Sequence, residues 1–133
     1  MPTQAEIVRT IAGFPHCSNV RSVTVVLGGL PYTGARYTYE APAPGLKRPT
    51  HSEERFYLLG VPPEHDRVAF TLEGEPREWY VAGWATEQTV RDPRYREFHP
   101  LGVWFGLHEW THGRIDEHEE RPYVRVKASV TYA

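Results

Sequence analysis

The residues whose types and spacing could do chemistry lie between Leu101 and His118, in the stretch LGVWFGLHEWTHGRIDEH. His108, Glu109 and His112 spell H-E-x-x-H. On a helix, residues four apart share one face. Two imidazoles so placed grip one zinc ion, and the carboxylate between them polarises a metal-bound water for hydrolysis. On a strand the same residues fail, because four steps of about 3.3 Å set the two histidines about 13 Å apart. Zinc–nitrogen bonds are only about 2.0–2.1 Å long. Zinc chemistry therefore requires residues 103–112 to be helical. Pro100, Gly102 and Gly106 oppose a helix, and Val103, Trp104, Phe105 and Trp110 favour a strand.

Residues 108–118 resemble the zinc-binding stretch of the metzincin hydrolases. The resemblance implies His108, His112 and His118 as ligands and Glu109 as the general base. The chain departs from that pattern at Ile115, where the family has glycine; the glycine here is Gly113. The competing reading of the same residues is a strand running into a charged loop, with no metal and no catalytic residue.

Other candidates are weaker. Leu30 to Gly34 reads LPYTG, which resembles a sortase sorting signal. That signal works close to a C-terminus, whereas here the chain runs on into ARYTYEA, so a turn after Gly28-Gly29 is preferred. His16-Cys17 could supply a nucleophile only with an activating environment. Asp116, Glu117, Glu119 and Glu120 lack the spacing of a calcium loop. Trp104 and Trp110 fall on one face of their predicted strand, where an exposed pair would suit a sugar ring or a protein partner.

The chain has 133 residues and a formal net charge of -2, from 15 Lys+Arg against 17 Asp+Glu. That length suits one domain. Near neutrality gives no electrostatic footprint for nucleic acid or an anionic membrane. Cys17 is the only cysteine, so no internal disulfide forms. The start, MPTQAEIVRT, lacks the pattern of a signal peptide, and no apolar run reaches membrane-helix length. These features predict a soluble protein made in the cytosol, without a cofactor.

The elements that must position these residues are mostly strands. Thr3 and Glu6 form a capping box ahead of Ile7, Val8 and Ile11, which predicts a helix over 4–12. From Val20 the period becomes two, as a half-buried strand requires. Val23, Val25 and Leu27 alternate with polar residues; so do Ala35, Tyr37, Tyr39 and Ala41, and Val68, Phe70 and Leu72. Arg55 to Val61, residues 78–85, Val103 to Trp110 and residues 123–132 complete about seven strands. The predicted fold class is an all-β antiparallel sandwich or barrel with one short N-terminal helix. Residues 73–77 read as a tight hairpin, and residues 42–54 and 86–100 as long loops.

Such loops are usually functional or disordered. Leu46, Arg94, Tyr95, Arg96 and Phe98 are the anchors an interface would use. The sequence is therefore read as a non-enzymatic binding or assembly module that self-associates or docks on a protein partner. A repeated subunit of a virion or secretion machine is the form considered. A zinc hydrolase and a carbohydrate-binding module are the alternatives.

Overall fold

The computed structural model describes residues 2–42, 49–63, 68–85, 91, 101–110 and 124–133. Helix α1 (Gln4–Ala12) precedes seven strands, β1 (Cys17–Leu27), β2 (Leu30–Pro42), β3 (Pro49–Leu59), β4 (Val68–Leu72), β5 (Glu78–Trp84), β6 (Trp104–Trp110) and β7 (Val124–Tyr132). They close into a barrel in the order β1-β2-β3-β6-β5-β4-β7. Every pairing is antiparallel except that of β4 with β7. The all-β architecture with one N-terminal helix is thus realised as a barrel. Among the described residues no helix is long and apolar enough to cross a membrane.

Alternation builds the interior. Val23, Val25, Leu27, Phe56, Leu58, Phe70, Leu72, Trp79, Phe105 and Leu107 belong to one buried cluster. Phe56 meets Trp79 edge-on at 4.8 Å between ring centroids, and Tyr32 meets Phe105 at 5.0 Å. Large rings meeting in this way fill the barrel rather than leave it hollow.

The first hairpin turns on Gly28 and Gly29, with φ of 56° and 82°. A two-residue loop that follows strand twist needs positive φ at both positions, which glycine adopts without strain. LPYTG is accordingly the start of β2. At Gly34 the backbones of β2 and β3 come so close that a Cβ would overlap the Tyr57 carbonyl oxygen.

Helix α1 lies outside the barrel. Thr3 caps it by accepting the Glu6 N–H at 3.2 Å. Ile7 and Ile11 are fully buried against Ala35, Tyr37 and Tyr57, with Phe14, Val20, Leu59 and Trp104 at the margin. The protein therefore has a second, smaller core between the helix and the outer face of the sheet.

One reading needs correction. Residues 42–54 are not one long loop, because β2 runs to Pro42 and β3 starts at Pro49. Within β3, Glu53 pairs with Arg55, and Glu54 with Arg36 of β2. Strand β2 buries residues on both of its faces. Ala35 and Tyr37 face the helix, while Arg36, buried at 5% exposure, lies over the inward-facing rings of Phe56 and Trp79. The apolar face of this strand is its outer face. Of residues 86–100, only Arg91 is described.

Candidate functional site

In β6 the two-residue period separates His108 from Glu109. Phe105 and Leu107 point into the barrel, and Glu109 follows them at its mouth; Trp104, His108 and Trp110 take the outer phase. The helix that H-E-x-x-H requires is therefore not formed over Trp104–Trp110. The reason is pairing: β3 and β5 bind this stretch on both sides, with His108 opposite Arg55 and Tyr80.

The outer face around His108 is a band of aromatic and charged groups. His108 Nδ1 lies 3.6 Å from Glu53 Oε1, a close approach rather than a hydrogen bond. Glu53 is held by Arg55, whose guanidinium sits 3.7 Å above the Tyr39 ring. Tyr80 meets both His108, at 6.0 Å, and Trp110, at 5.9 Å, edge-on. Burial, reinforced by the Arg55 charge and opposed by Glu53, pushes the His108 imidazole down to about 4. It is neutral at pH 7 and a poor base. Burial raises Tyr37 to about 12 and also raises the Cys17 thiol, against the pull of Arg55. A thiol held above its ordinary range is not an activated nucleophile.

Glu109 is tied on both oxygens. Oε1 accepts the Glu54 N–H at 2.9 Å, and Oε2 lies 3.1 Å from Arg77 Nε. It faces away from His108 and is not placed to polarise a water held there. Among the described residues no three His, Cys, Asp or Glu side chains gather as a metal ion needs. His112 and His118 lie outside the described residues, as do Leu46, Arg94, Tyr95, Arg96 and Phe98.

The tryptophans divide. Trp79 is core, Trp104 is stacked on Tyr57 at 4.6 Å beside the helix, and Trp110 packs on Tyr80. Trp84 is the open one, at 49% exposure.

Two features went unread in the sequence, one at each end of the barrel. At one end, Arg36 forms an ionic hub. Its Nη1 donates to Glu75 Oε1 and to the Tyr132 hydroxyl, both at 2.8 Å, and its Nε lies 3.4 Å from Glu54 Oε2. Thr38 donates to the second Glu54 oxygen at 2.8 Å, and Arg21 covers the Tyr132 ring at 4.5 Å. The signal was present, because Arg36 and Thr38 hold the alternate phase of a strand whose other face is apolar. What was missing was that a helix claims that apolar face.

The other end is apolar. The β1–β2 turn, the end of β3, the end of β5 and the starts of β4, β6 and β7 all lie there by register. Gly60 N–H to the Val103 carbonyl, at 2.9 Å, and Ala85 N–H to the Trp104 carbonyl, at 2.8 Å, tie three of them together. Among the described residues this end carries four of the five exposed large apolar side chains, Leu30, Val61, Trp84 and Val124. Leu30 and Val124 keep the inward phase of their strands but lie beyond the last core layer, and so open to solvent.

No protein-family model, curated protein or solved structure matches the chain.

Proposed function

We propose that this chain is a non-enzymatic binding or assembly module, and that it docks through the apolar end of its barrel on a protein partner or on another copy of itself. The observation that carries this reading is the clustering of Leu30, Val61, Trp84 and Val124 at one end of a barrel with a packed interior. Scattered apolar residues are ordinary on a protein surface; a group gathered round one rim marks an interaction site.

The experiment is sedimentation of the wild type and of a Val61→Ser/Trp84→Ser double variant across a concentration series, with partner capture run in parallel. The double variant is expected to lose association while its melting temperature stays within a few degrees of wild type. A wild type that stays monomeric at high concentration and captures nothing ends the proposal.

A further inference from the structure

Strand β7 changes partner part-way along. Val124 to Ala128 pair with β4, Ala128 to Tyr132 pair with β1, and Ala128 alone belongs to both ladders. Beyond Ala128 the edge of β7 that faced β4 has no ladder among the described residues. Its last bond is from the Glu73 N–H to the Ala128 carbonyl, at 3.3 Å. Because that carbonyl points towards β4, strand alternation turns the N–H and C=O of Val130 and Tyr132 the same way, and those of Ser129 and Thr131 towards β1. The bond from Ala133 N–H to the Ser22 carbonyl, at 3.2 Å, fits this alternation.

A cleft of about 650 Å³ opens where the two ladders of β7 meet, with Glu73 and Glu75 on one side, Lys127 and Ser129 in the middle and Val26 of β1 on the other. Val130 and Tyr132 line an adjoining recess. Side chains rather than backbone span the gap, through the contacts of Arg36 with Glu75 and Tyr132. Glu73 stands exposed at the lip, and Glu75 Oε2 is enclosed without a hydrogen-bond partner among the described residues. Arg36 pairs with the other Glu75 oxygen, so the carboxylate groups left facing the cleft are Glu73 and Glu75 Oε2, beside Lys127.

We propose that this seam accepts, by β-augmentation, an extended peptide segment of a protein partner that carries lysine or arginine among apolar residues. An open edge with free N–H and C=O groups is a template for another strand. The backbone of Val130 and Tyr132 supplies the ladder, and exposed Glu73, with the unpartnered oxygen of Glu75 behind it, favours a cationic side chain. The seam lies at the ionic end of the barrel, opposite Leu30, Val61, Trp84 and Val124, so it stands apart from docking at the apolar end.

The test titrates the whole chain with an acetylated, amidated Val-Lys-Val-Lys-Val peptide, followed by amide NMR and hydrogen exchange. The Val130 and Tyr132 amides are expected to exchange readily in the free protein, then to shift and gain protection with peptide. The Val-Glu-Val-Glu-Val counterpart is expected not to do this. Glu73→Lys is expected to weaken the lysine peptide by about tenfold. Val130→Pro, which removes a seam donor, is expected to abolish the protection. Slow exchange of both amides in the free protein, an equal response to the glutamate peptide, or shifts confined to the apolar end overturn the proposal. The Val61→Ser/Trp84→Ser variant is expected to bind the lysine peptide as wild type does, which keeps the failure of one site distinguishable from the failure of the other.

Discussion

Arg36 carries more of this structure than its place in a strand suggests. Its guanidinium is buried, lies 5.3 Å from the rings of both Phe56 and Trp79, and meets two carboxylates and a phenol. Removing one partner of a buried ion pair costs about 3–5 kcal/mol, because the other charge is stranded. Glu54 and Glu75 keep about a quarter of their side-chain surface in water, which softens that cost. Arg36→Ala is therefore expected to lower stability by about 2–4 kcal/mol in urea unfolding, and Glu75→Gln by less. His108 gives a second prediction, with a sign. Its folded pKa, about 4, lies below its ordinary value of 6.5, so between the two the unfolded chain binds more protons. Its stabilising contribution is intact above about pH 6.5 and falls away as pH drops towards 4. With the side chain a quarter exposed, the loss is on the order of 2–3 kcal/mol. His108→Gln should flatten that part of the stability–pH curve; an unchanged slope would mean that the imidazole is well solvated.

At the scale of elements, legibility followed the number of faces buried. Strands with one apolar and one polar face, such as β1 and β4, show themselves by period alone, and the capping box of α1 appears as written. Thr3→Ala should cost about 0.5–2 kcal/mol by freeing the Glu6 N–H. It should also loosen the outer core under Ile7 and Ile11, read as faster hydrogen exchange at Ala35 and Tyr57 if the helix and that core form one unit. The start of β3 was misread because its charges are paired, Glu53 with Arg55 along the strand and Glu54 with Arg36 across to β2, and composition cannot distinguish a paired charge from a solvated one. β2 was found, but alternation left its faces unassigned: periodicity tells which residues share a face, not which face meets the barrel interior. At His108-Glu109 the expected strand is formed: the chemistry of H-E-x-x-H assumes a helical spacing, and β-sheet pairing on both sides of Trp104–Trp110 sets a strand there instead. The ionic hub draws Arg36, Glu54, Glu75 and Tyr132 from four separate stretches, so no local pattern could announce it.

Over the whole molecule the barrel is polarised. One mouth is closed by Arg36, Glu54, Glu75, Glu109 and Arg77; the other presents Leu30, Val61, Trp84 and Val124. Charge closes the first mouth because it is paired there, while among the described residues no comparable pairing lines the second. Burying an apolar rim gains free energy roughly in proportion to area, and salts excluded from protein surfaces strengthen that gain. An interface held by surface charges behaves in the opposite way, since salt screens it. A chain of formal net charge -2 has little repulsion to hold copies apart. If copies associate through this end, the association should persist or tighten as sodium sulfate is raised, and Trp84 emission should move to shorter wavelength as protein concentration increases. Trp84→Phe keeps the apolar surface and removes the reporter, so it should preserve association while abolishing the concentration-dependent shift. Association that weakens steadily with salt, or a shift that survives Trp84→Phe, would place the contact elsewhere on the barrel.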